Sequence, residues 1–288
     1  MDNLQKAVSL LPADMRVCAG AAACAEEFRL RTGFPPSCIV AGGEREMTGC
    51  RKITADDLSS VLERATSASV HSAENSIKNG FITVRGGIRL GLSGSVIMNG
   101  DKPCGIRRLS GIAIRIPREV RSCCDGVYSQ LTAEGFENTV IISPPGGGKT
   151  TFLRELIRRL SNDGARVSLA DERGEVAGVY DGMAQFDVGR RTDVMSDAPK
   201  SAAALMLLRA MNPQILAMDE ITAPEDVDAI YEAVGCGVKL LATAHAGSWE
   251  DFCARPLYRR LSADRVFKKM AVITMQGGER HYMAGDVP

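Results

Sequence analysis

The segment from Val140 to Leu153 reads VIISPPGGGKTTFL, in which an apolar run, a glycine-rich turn and a helical pattern follow one another directly. Val140 to Ser143 suits a buried strand, and the periodicity of Phe152 to Leu160 is typical of an amphipathic helix. A phosphate-binding P-loop needs a strand, a glycine-rich turn and a helix in this order. The segment therefore predicts an α/β fold with a polyphosphate site.

The turn of this segment carries the binding chemistry. Glycines let successive backbone N–H groups face a polyphosphate, and the N-terminus of the next helix adds partial positive charge there. We expect Lys149 to reach the β- and γ-phosphates of ATP and the Thr150 hydroxyl to bind Mg²⁺. The predicted nucleotide-binding residues are Ser143, Pro144, Pro145, Gly146, Gly147, Gly148, Lys149, Thr150 and Thr151. Ser143 stands where the pattern G-x-x-x-x-G-K-S/T has a glycine, at a position that starts the turn and does not cradle phosphate.

A second apolar run, Ile215 to Met218, ends in two acids, Asp219 and Glu220. Parallel strands deliver the residues at their carboxyl ends to the ligand-binding edge of a sheet. We expect Asp219 to hold the Mg²⁺ shell and Glu220 to position or deprotonate the attacking water. An acidic helix cap after an ordinary strand is the alternative, and the P-loop earlier in the chain favours the nucleotide interpretation.

Two more apolar runs end in polar residues. Val167 to Ala170 leads into Asp171-Glu172-Arg173, and Val238 to Thr243 leads into Ala244-His245. Carboxylates at the same edge can order water or Mg²⁺, and His245 can hydrogen-bond a γ-phosphate or one of the two acids. Ordinary solvated strand ends explain these residues equally well on spacing alone.

Strand and helix patterns alternate from Thr139 onward, which predicts a mostly parallel sheet covered by helices. The expected elements are 140–143, 149–161, 166–170, 200–211, 215–218, 225–234 and 238–243. We predict a RecA-like P-loop NTPase core over residues 121–288, entered through a helix from Arg118 to Leu131.

Residues 1–120 have shorter helix and strand patterns, in a less regular order. Thr54 is a good N-cap for a helix, and the pair Gly86-Gly87 between two strand-like runs is a hairpin signal. The expected elements are helices at 3–11, from Thr54 and at 72–78, and strands at 26–31, 38–41, 81–85, 88–92, 95–98, 105–109 and 112–116. We predict a smaller α+β domain over residues 1–120.

Composition limits the function classes. The 288 residues contain 35 basic and 35 acidic side chains, and 5% of the residues are aromatic. Because net charge is zero and no basic block occurs, nucleic acid is a poor candidate for a partner. The nine cysteines form no C-x-x-C pair, which argues against a zinc site. Their odd number in a chain without a secretion signal argues for reduced thiols. With no signal-peptide pattern or membrane-length apolar run, a soluble, cytosolic chain is expected.

Several blocks together resemble the stage III sporulation protein AA family. They include SPPGGGKTT, LADERGEVAG, FDVGRRTDV, ILAMDEI and ATAHA, with EEFRLRTGFPP, SVHSAENSIKNGFITVRGGIRLGLSGSV and IRRLSGIAIRIPRE before them. The family is similar to the hexameric ATPases of type II secretion, type IV pili and type IV secretion, and the resemblance covers nearly the entire chain.

The resemblance implies roles for further residues. Asp171 and Glu172 match the acidic box of secretion ATPases, and His245 matches their histidine box. Two sets of arginines could neutralise the charge of the transferring phosphate, in cis or from a neighbouring subunit: Arg190 and Arg191, or Arg107 and Arg115. For each arginine, a surface charge or a structural ion pair is the alternative. The catalytic set expected on all these grounds is Glu220, Lys149, Glu172, His245 and Arg115.

The function expected from the resemblance is Mg²⁺-dependent ATP hydrolysis by a ring, expected to be a hexamer. Such a ring would energise a channel complex between mother cell and forespore, with membrane proteins of that complex as partners and no direct insertion into the membrane. The expected location is cytoplasmic, at the inner face of a membrane complex. A nucleic-acid-translocating ATPase and a nucleotide-dependent scaffold with little turnover are the alternatives, and Glu220 beside Asp219 disfavours the scaffold.

Overall fold

The computed structural model describes residues 2–20, 24–41, 43–66, 77, 80–277 and 279–288. The chain divides into two compact units, Met1–Arg118 with Gly178–Gln185, and Glu119–Ala177 with Phe186–Pro288. The sequence placed a boundary near residue 120 and assigned all later residues to the second domain. Segment 178–185 instead belongs to the first unit, where Gln185 Oε1 accepts a hydrogen bond from the Gly86 N–H at 2.8 Å.

The first unit is built on an antiparallel sheet with the strand order β3-β2-β1-β6-β5-β4 among the described residues. Its core contains fully buried side chains such as Phe28, Leu30, Leu58 and Leu90. The strands are β1 (Glu27–Arg31), β2 (Ser37–Val40), β3 (Gly43–Glu46), β4 (Phe81–Val84), β5 (Ile88–Asn99) and β6 (Lys102–Arg115). The helices are α1 (Asn3–Leu10), α2 (Arg16–Gly20) and α3 (Ala55–Ala65).

Helix α3 starts at the predicted cap. Thr54 Oγ1 accepts a hydrogen bond from the Asp57 N–H at 3.2 Å, and Asp57 Oδ2 accepts one from the Thr54 N–H at 2.9 Å. This reciprocal capping box satisfies backbone donors that the first helical turn leaves free. Leu58, Val61 and Ala65 form the buried face of α3, and the helix and cap predicted from Thr54 are confirmed.

The strands predicted at 88–92, 95–98, 105–109 and 112–116 are parts of one long hairpin, β5–β6. Register shifts near Gly94 interrupt the pairing without ending either strand, which explains the separate strand predictions. The predicted helix at 72–78 lies outside the described residues except for Ile77.

The second unit contains a mostly parallel sheet with the strand order β13-β12-β7-β11-β10-β8-β9 among the described residues, in which β13 is antiparallel to β12. The strands are β7 (Thr139–Ser143), β8 (Val167–Asp171), β9 (Thr192–Ser196), β10 (Ile215–Met218), β11 (Lys239–His245), β12 (Lys269–Gln276) and β13 (Glu279–Asp286). The helices are α4 (Asp125–Thr132), α5 (Lys149–Asn162), α6 (Lys200–Met211), α7 (Pro224–Gly235), α8 (Trp249–Ala254) and α9 (Arg259–Ala263).

This sheet brings the predicted polar residues to one edge. Strand β11 pairs in parallel with β7, where His245 is opposite Ser143, and with β10, where Ala242 is opposite Met218. Strand β8 pairs in parallel with the other side of β10. The carboxyl ends of four buried strands therefore meet where the glycine-rich turn leaves β7.

Two further findings concern the helices. The helix predicted from Arg118 starts later, at Asp125, because Ser122 has a φ of 63°, which an α-helix does not admit. None of the helices in the described part of the chain combines the length and the apolar character that crossing a bilayer requires.

Candidate nucleotide-binding site

The turn between β7 and α5 depends on its glycines. Gly146 and Gly148 have φ values of 75° and 99°, in the left-handed region that favours glycine. Gly147 is required for a different reason, since a Cβ atom on it would lie 1.8 Å from Ser143 Oγ. The backbone is thus folded tightly against Ser143, the residue that departs from the usual motif.

Lys149 is buried beneath this turn, with 6% of its surface exposed. Its Nζ atom donates hydrogen bonds to the carbonyl oxygens of Ser143 at 3.1 Å and Pro144 at 3.2 Å, and lies 2.7 Å from His245 Nδ1. Burial lowers the pKa of Lys149, opposed by the nearby charges of Glu220 and Asp219. The ammonium is therefore partly desolvated and held beneath the turn by these contacts.

Asp219 is held between two hydroxyl groups. Thr150 Oγ1 donates to Asp219 Oδ2 at 3.0 Å, and Thr243 Oγ1 donates to Asp219 Oδ1 at 2.8 Å. Desolvation by the surrounding protein raises the pKa of Asp219 to about 6, although these two hydrogen bonds oppose the shift. A carboxylate beside a threonine hydroxyl supplies the hard oxygen donors that Mg²⁺ prefers, so Thr150 and Asp219 fit the ion predicted for them.

Glu220 is held in a strained backbone conformation with a φ of 50°. Its N–H donates to Thr243 Oγ1 at 2.8 Å, and its Oε1 atom lies 2.9 Å from His245 Nε2. A protonated lysine can only donate, so His245 Nδ1 accepts from Lys149 and His245 Nε2–H donates to Glu220. We call this series of contacts the Lys149–His245–Glu220 chain. Strained backbone of this kind is concentrated at functional sites.

The two acids after β8 have different surroundings. Asp171 is buried, and its carboxylate accepts hydrogen bonds from the backbone N–H groups of Glu175, Val176 and Ala177. Desolvation raises the pKa of Asp171 against the opposing effect of these bonds. Asp171 therefore stabilises the loop that follows β8. Glu172 is partly exposed, and its Oε2 atom lies 3.3 Å from Lys200 Nζ.

The four candidate arginines are not part of this cluster in the second unit. The Arg191 side chain donates to the Gly164 carbonyl at 2.8 Å, at the start of β9. Because β9 is parallel to β8, Arg190 and Arg191 lie at the sheet edge opposite the P-loop and cannot serve it within one subunit. Arg107 and Arg115 are exposed in the first unit, and Arg115 Nε pairs with Glu27 Oε2 at 3.1 Å.

The structure adds two cations that sequence reasoning missed. Arg280 on β13 donates from Nε to the Gly147 carbonyl at 3.1 Å, and a Cβ atom on Gly148 would lie 2.9 Å from the same nitrogen. Lys200 lines a cavity together with Asp219 and Glu220. Neither residue lies within a nucleotide motif, so only the tertiary fold reveals them.

A parallel sheet, a glycine-rich turn before α5 and a carboxylate at the end of β10 define the fold of a P-loop NTPase. The chain belongs to the family described as sporulation stage III, protein AA, whose model matches residues 10–284. It is 35% identical over 259 residues to stage III sporulation protein AA of Bacillus subtilis, covering 88% of this chain and 83% of that protein. The family resemblance predicted from the sequence is confirmed.

Two solved structures share the fold. The ATPase DotB of Legionella pneumophila superposes with a TM-score of 0.58 at 16% identity, covering 98% of this chain and 78% of that chain. The pilus retraction motor PilT, solved with bound ADP, gives a TM-score of 0.65 at 17% identity, covering 96% of this chain and 83% of that chain. The predicted α/β class, a RecA-like core preceded by a smaller α+β domain, is confirmed.

Proposed function

We propose that the protein hydrolyses ATP in a Mg²⁺-dependent reaction. The observation that carries this proposal is the Lys149–His245–Glu220 chain beside the Thr150–Asp219 pair. A protein that only binds nucleotide needs the lysine and the ion site. An acid whose carboxylate is held in place by a histidine is what a positioned general base requires.

In the proposed ground state, the backbone N–H groups of the P-loop and the Lys149 ammonium bind the β- and γ-phosphates. Thr150 and Asp219 would hold Mg²⁺, which would neutralise charge on the phosphate oxygens. Burial raises the pKa of Asp219 to about 6, and a divalent cation bound to the carboxylate would favour its ionised form. Arg280, bonded to the Gly147 carbonyl, stabilises the shape of the loop from outside.

The proposed chemical step is attack of water on the γ-phosphorus. The bond from that phosphorus to the β,γ-bridging oxygen breaks, and Glu220 takes the proton of the attacking water. His245 keeps the Glu220 carboxylate in place by donating from Nε2. Since a γ-phosphate competes for the Lys149 ammonium that otherwise contacts His245, nucleotide binding changes the hydrogen bonding of the group that positions the base.

We also propose an assembly and partners for the protein, on the basis of its family. The relatives are named a sporulation protein, an ATPase and a pilus retraction motor. By similarity to them, the chain would form a ring that works at the cytoplasmic face of a membrane channel complex during sporulation, with membrane proteins of that complex as partners. An arginine from the first unit, Arg115 or Arg107, would complete the site of the neighbouring subunit.

Phosphate release and nucleotide binding test the proposed activity. We expect wild-type protein to release phosphate from ATP with Mg²⁺ and to stop when EDTA removes the ion. Lys149→Ala should lose ATP binding in calorimetry, because the P-loop ammonium is its fixed cation. Lys239→Ala, a partly exposed lysine paired with Glu137 at the other end of β11, is the matched control and should bind ATP normally. Unchanged ATP affinity in Lys149→Ala would refute the assignment of the P-loop.

A further inference from the structure

Lys200 is a buried cation beside the predicted catalytic acids. It is the first residue of α6, and its side chain is 7% exposed. Its Nζ atom lies 3.0 Å from Thr222 Oγ1, 3.3 Å from Glu172 Oε2 and 3.6 Å from Asp226 Oδ2. The same residue lines the cavity that contains Asp219 and Glu220. An ammonium desolvated at such a place is positioned to meet an anion.

The two acidic partners of Lys200 differ in freedom to move. The side chain of Asp226 is 4% exposed, and its Oδ2 atom accepts hydrogen bonds from the backbone N–H groups of Thr222 at 2.9 Å and Ala223 at 3.0 Å. The side chain of Glu172 is 43% exposed, and its polar contacts within the described ranges are to the nitrogen atoms of Lys200. Asp226 is therefore fixed at the start of α7, whereas Glu172 can rotate away from the ammonium.

The charge of the cavity shows why a second cation matters. Five acidic residues line it, against two basic residues, Arg173 and Lys200; the acids are Asp171, Glu172, Glu175, Asp219 and Glu220. A γ-phosphate placed next to Glu220 would meet this excess of negative charge. Lys149 donates to two backbone carbonyls on the P-loop side of the site. Lys200 is a second buried ammonium, at the start of α6.

We propose that Lys200 binds the γ-phosphate of ATP and that Glu172 competes with this phosphate for the same ammonium. The inference rests on the proposed function and extends it to discrimination between triphosphate and diphosphate. With ADP, Lys200 stays paired with Glu172. With ATP, the phosphate replaces a carboxylate as its partner, at small desolvation cost because the ammonium is already buried. Glu172 is then a positioning residue that acts through Lys200.

The test compares two nucleotides in calorimetry with Mg²⁺, ADP and the non-hydrolysable triphosphate AMP-PNP. Lys200→Met removes the charge and keeps the long apolar stem. We expect it to weaken AMP-PNP binding by roughly 10- to 100-fold, as for one hydrogen bond between charged groups, while ADP affinity stays within about twofold. Lys239→Met, at the opposite edge of the sheet, is the matched control and should change neither affinity.

Glu172→Gln should change the affinity for AMP-PNP in the opposite direction, and it tests the proposal even if Lys200→Met fails to fold. Glu172→Gln removes the competing charge, so AMP-PNP binding should strengthen several-fold relative to ADP. An unchanged ratio of the two affinities in Glu172→Gln would overturn the inference, as would equal weakening of both ligands in folded Lys200→Met. If the wild-type protein binds neither nucleotide, the proposed function itself fails, which is a separate outcome.

Discussion

The Nζ atom of Lys149 lies 2.7 Å from Nδ1 of His245, so the cation of the phosphate loop contacts the residue that holds Glu220. The contact joins the first residue of α5 to the last residue of β11, and His245 lies opposite Ser143, the last residue of β7. Phosphate binding and base positioning therefore share one hydrogen-bonded series. A substitution of His245, the middle residue of this series, should therefore lower the rate of hydrolysis more than the affinity for ATP.

His245→Ala tests this coupling. The substitution leaves Lys149 and the P-loop in place but removes the donor that holds Glu220, so kcat should fall by roughly 10- to 1000-fold while KM for ATP changes little. Steady-state phosphate release measures both constants. His281→Ala, an exposed histidine of β13, is the control and should keep both. A large rise in KM with unchanged kcat would show that His245 binds substrate instead.

Ser143 and Gly147 should be energetically coupled. Gly147→Ala places a methyl group 1.8 Å from Ser143 Oγ, although the φ of Gly147 lies outside the left-handed region and admits alanine. Removing the hydroxymethyl group in Ser143→Gly relieves this clash. We therefore expect a coupling energy of about 1–3 kcal/mol in urea unfolding of the two single variants and the double variant.

Gly146→Ala provides the control for this cycle. Gly146 has a φ of 75° and no atom within 4 Å of an added Cβ, so alanine there is disfavoured by the backbone alone. Ser143→Gly should not rescue it. Additive effects at Ser143 and Gly147 would contradict the packing described for the turn.

Asp219 should make the metal-free protein less stable as pH rises. Its pKa is raised from 3.8 to about 6, so the folded state binds a proton that the unfolded state has released, and the free energy of unfolding falls as pH rises through this range. In EDTA, Asp219→Asn should therefore increase this free energy by about 3 kcal/mol at pH 8 and by about half as much at pH 5.

Denaturant unfolding at the two pH values measures this difference. Asp228→Asn, on an exposed face of α7, is the control and should show little change at either pH. An Asp219→Asn variant that is equally stabilised at both pH values, or destabilised at pH 8, would contradict the partly desolvated state of this carboxylate.

Activity per subunit should rise with protein concentration if an arginine of a neighbouring subunit completes the site. The side chain of Arg115 is 63% exposed although its Nε atom pairs with Glu27, so it is accessible to a partner. Mixing inactive Glu220→Gln with inactive Arg115→Ala should restore part of the activity, because some interfaces then combine the intact residues. Arg45→Ala, another exposed arginine of the first unit, should remain active alone. No recovery on mixing and flat activity on dilution would reject the arginine in trans.

The parts of the fold that the sequence predicted best have strong local signals. Helix α6 and strand β10 have the predicted bounds, because long apolar patterns and clear breaks define them. Strands β9, β12 and β13 were not predicted. Strand β13 reads ERHYMAGD, in which polar residues and a glycine hide the alternation, and its pairing with β12 is what makes it a strand.

The site was predictable to the extent that it lies at strand ends. The sequence predicted that Asp219, Glu220 and His245 lie near the P-loop, because the carboxyl ends of parallel strands meet at one edge of the sheet. It did not reveal that Asp171 is occupied by three backbone N–H groups, or that Lys200 faces Glu172. Those contacts join residues through loops and helix starts, for which the sequence holds no periodic signal.

The measurement that tests the central claim most directly is a comparison of ATP binding and phosphate release in Glu220→Gln. The amide keeps the size of the side chain but cannot take a proton, so binding with Mg²⁺ should match the wild type while hydrolysis falls by at least about 100-fold. Glu225→Gln, an exposed acid in the first turn of α7, is the matched control and should hydrolyse ATP normally. Hydrolysis at the wild-type rate in Glu220→Gln would contradict the account.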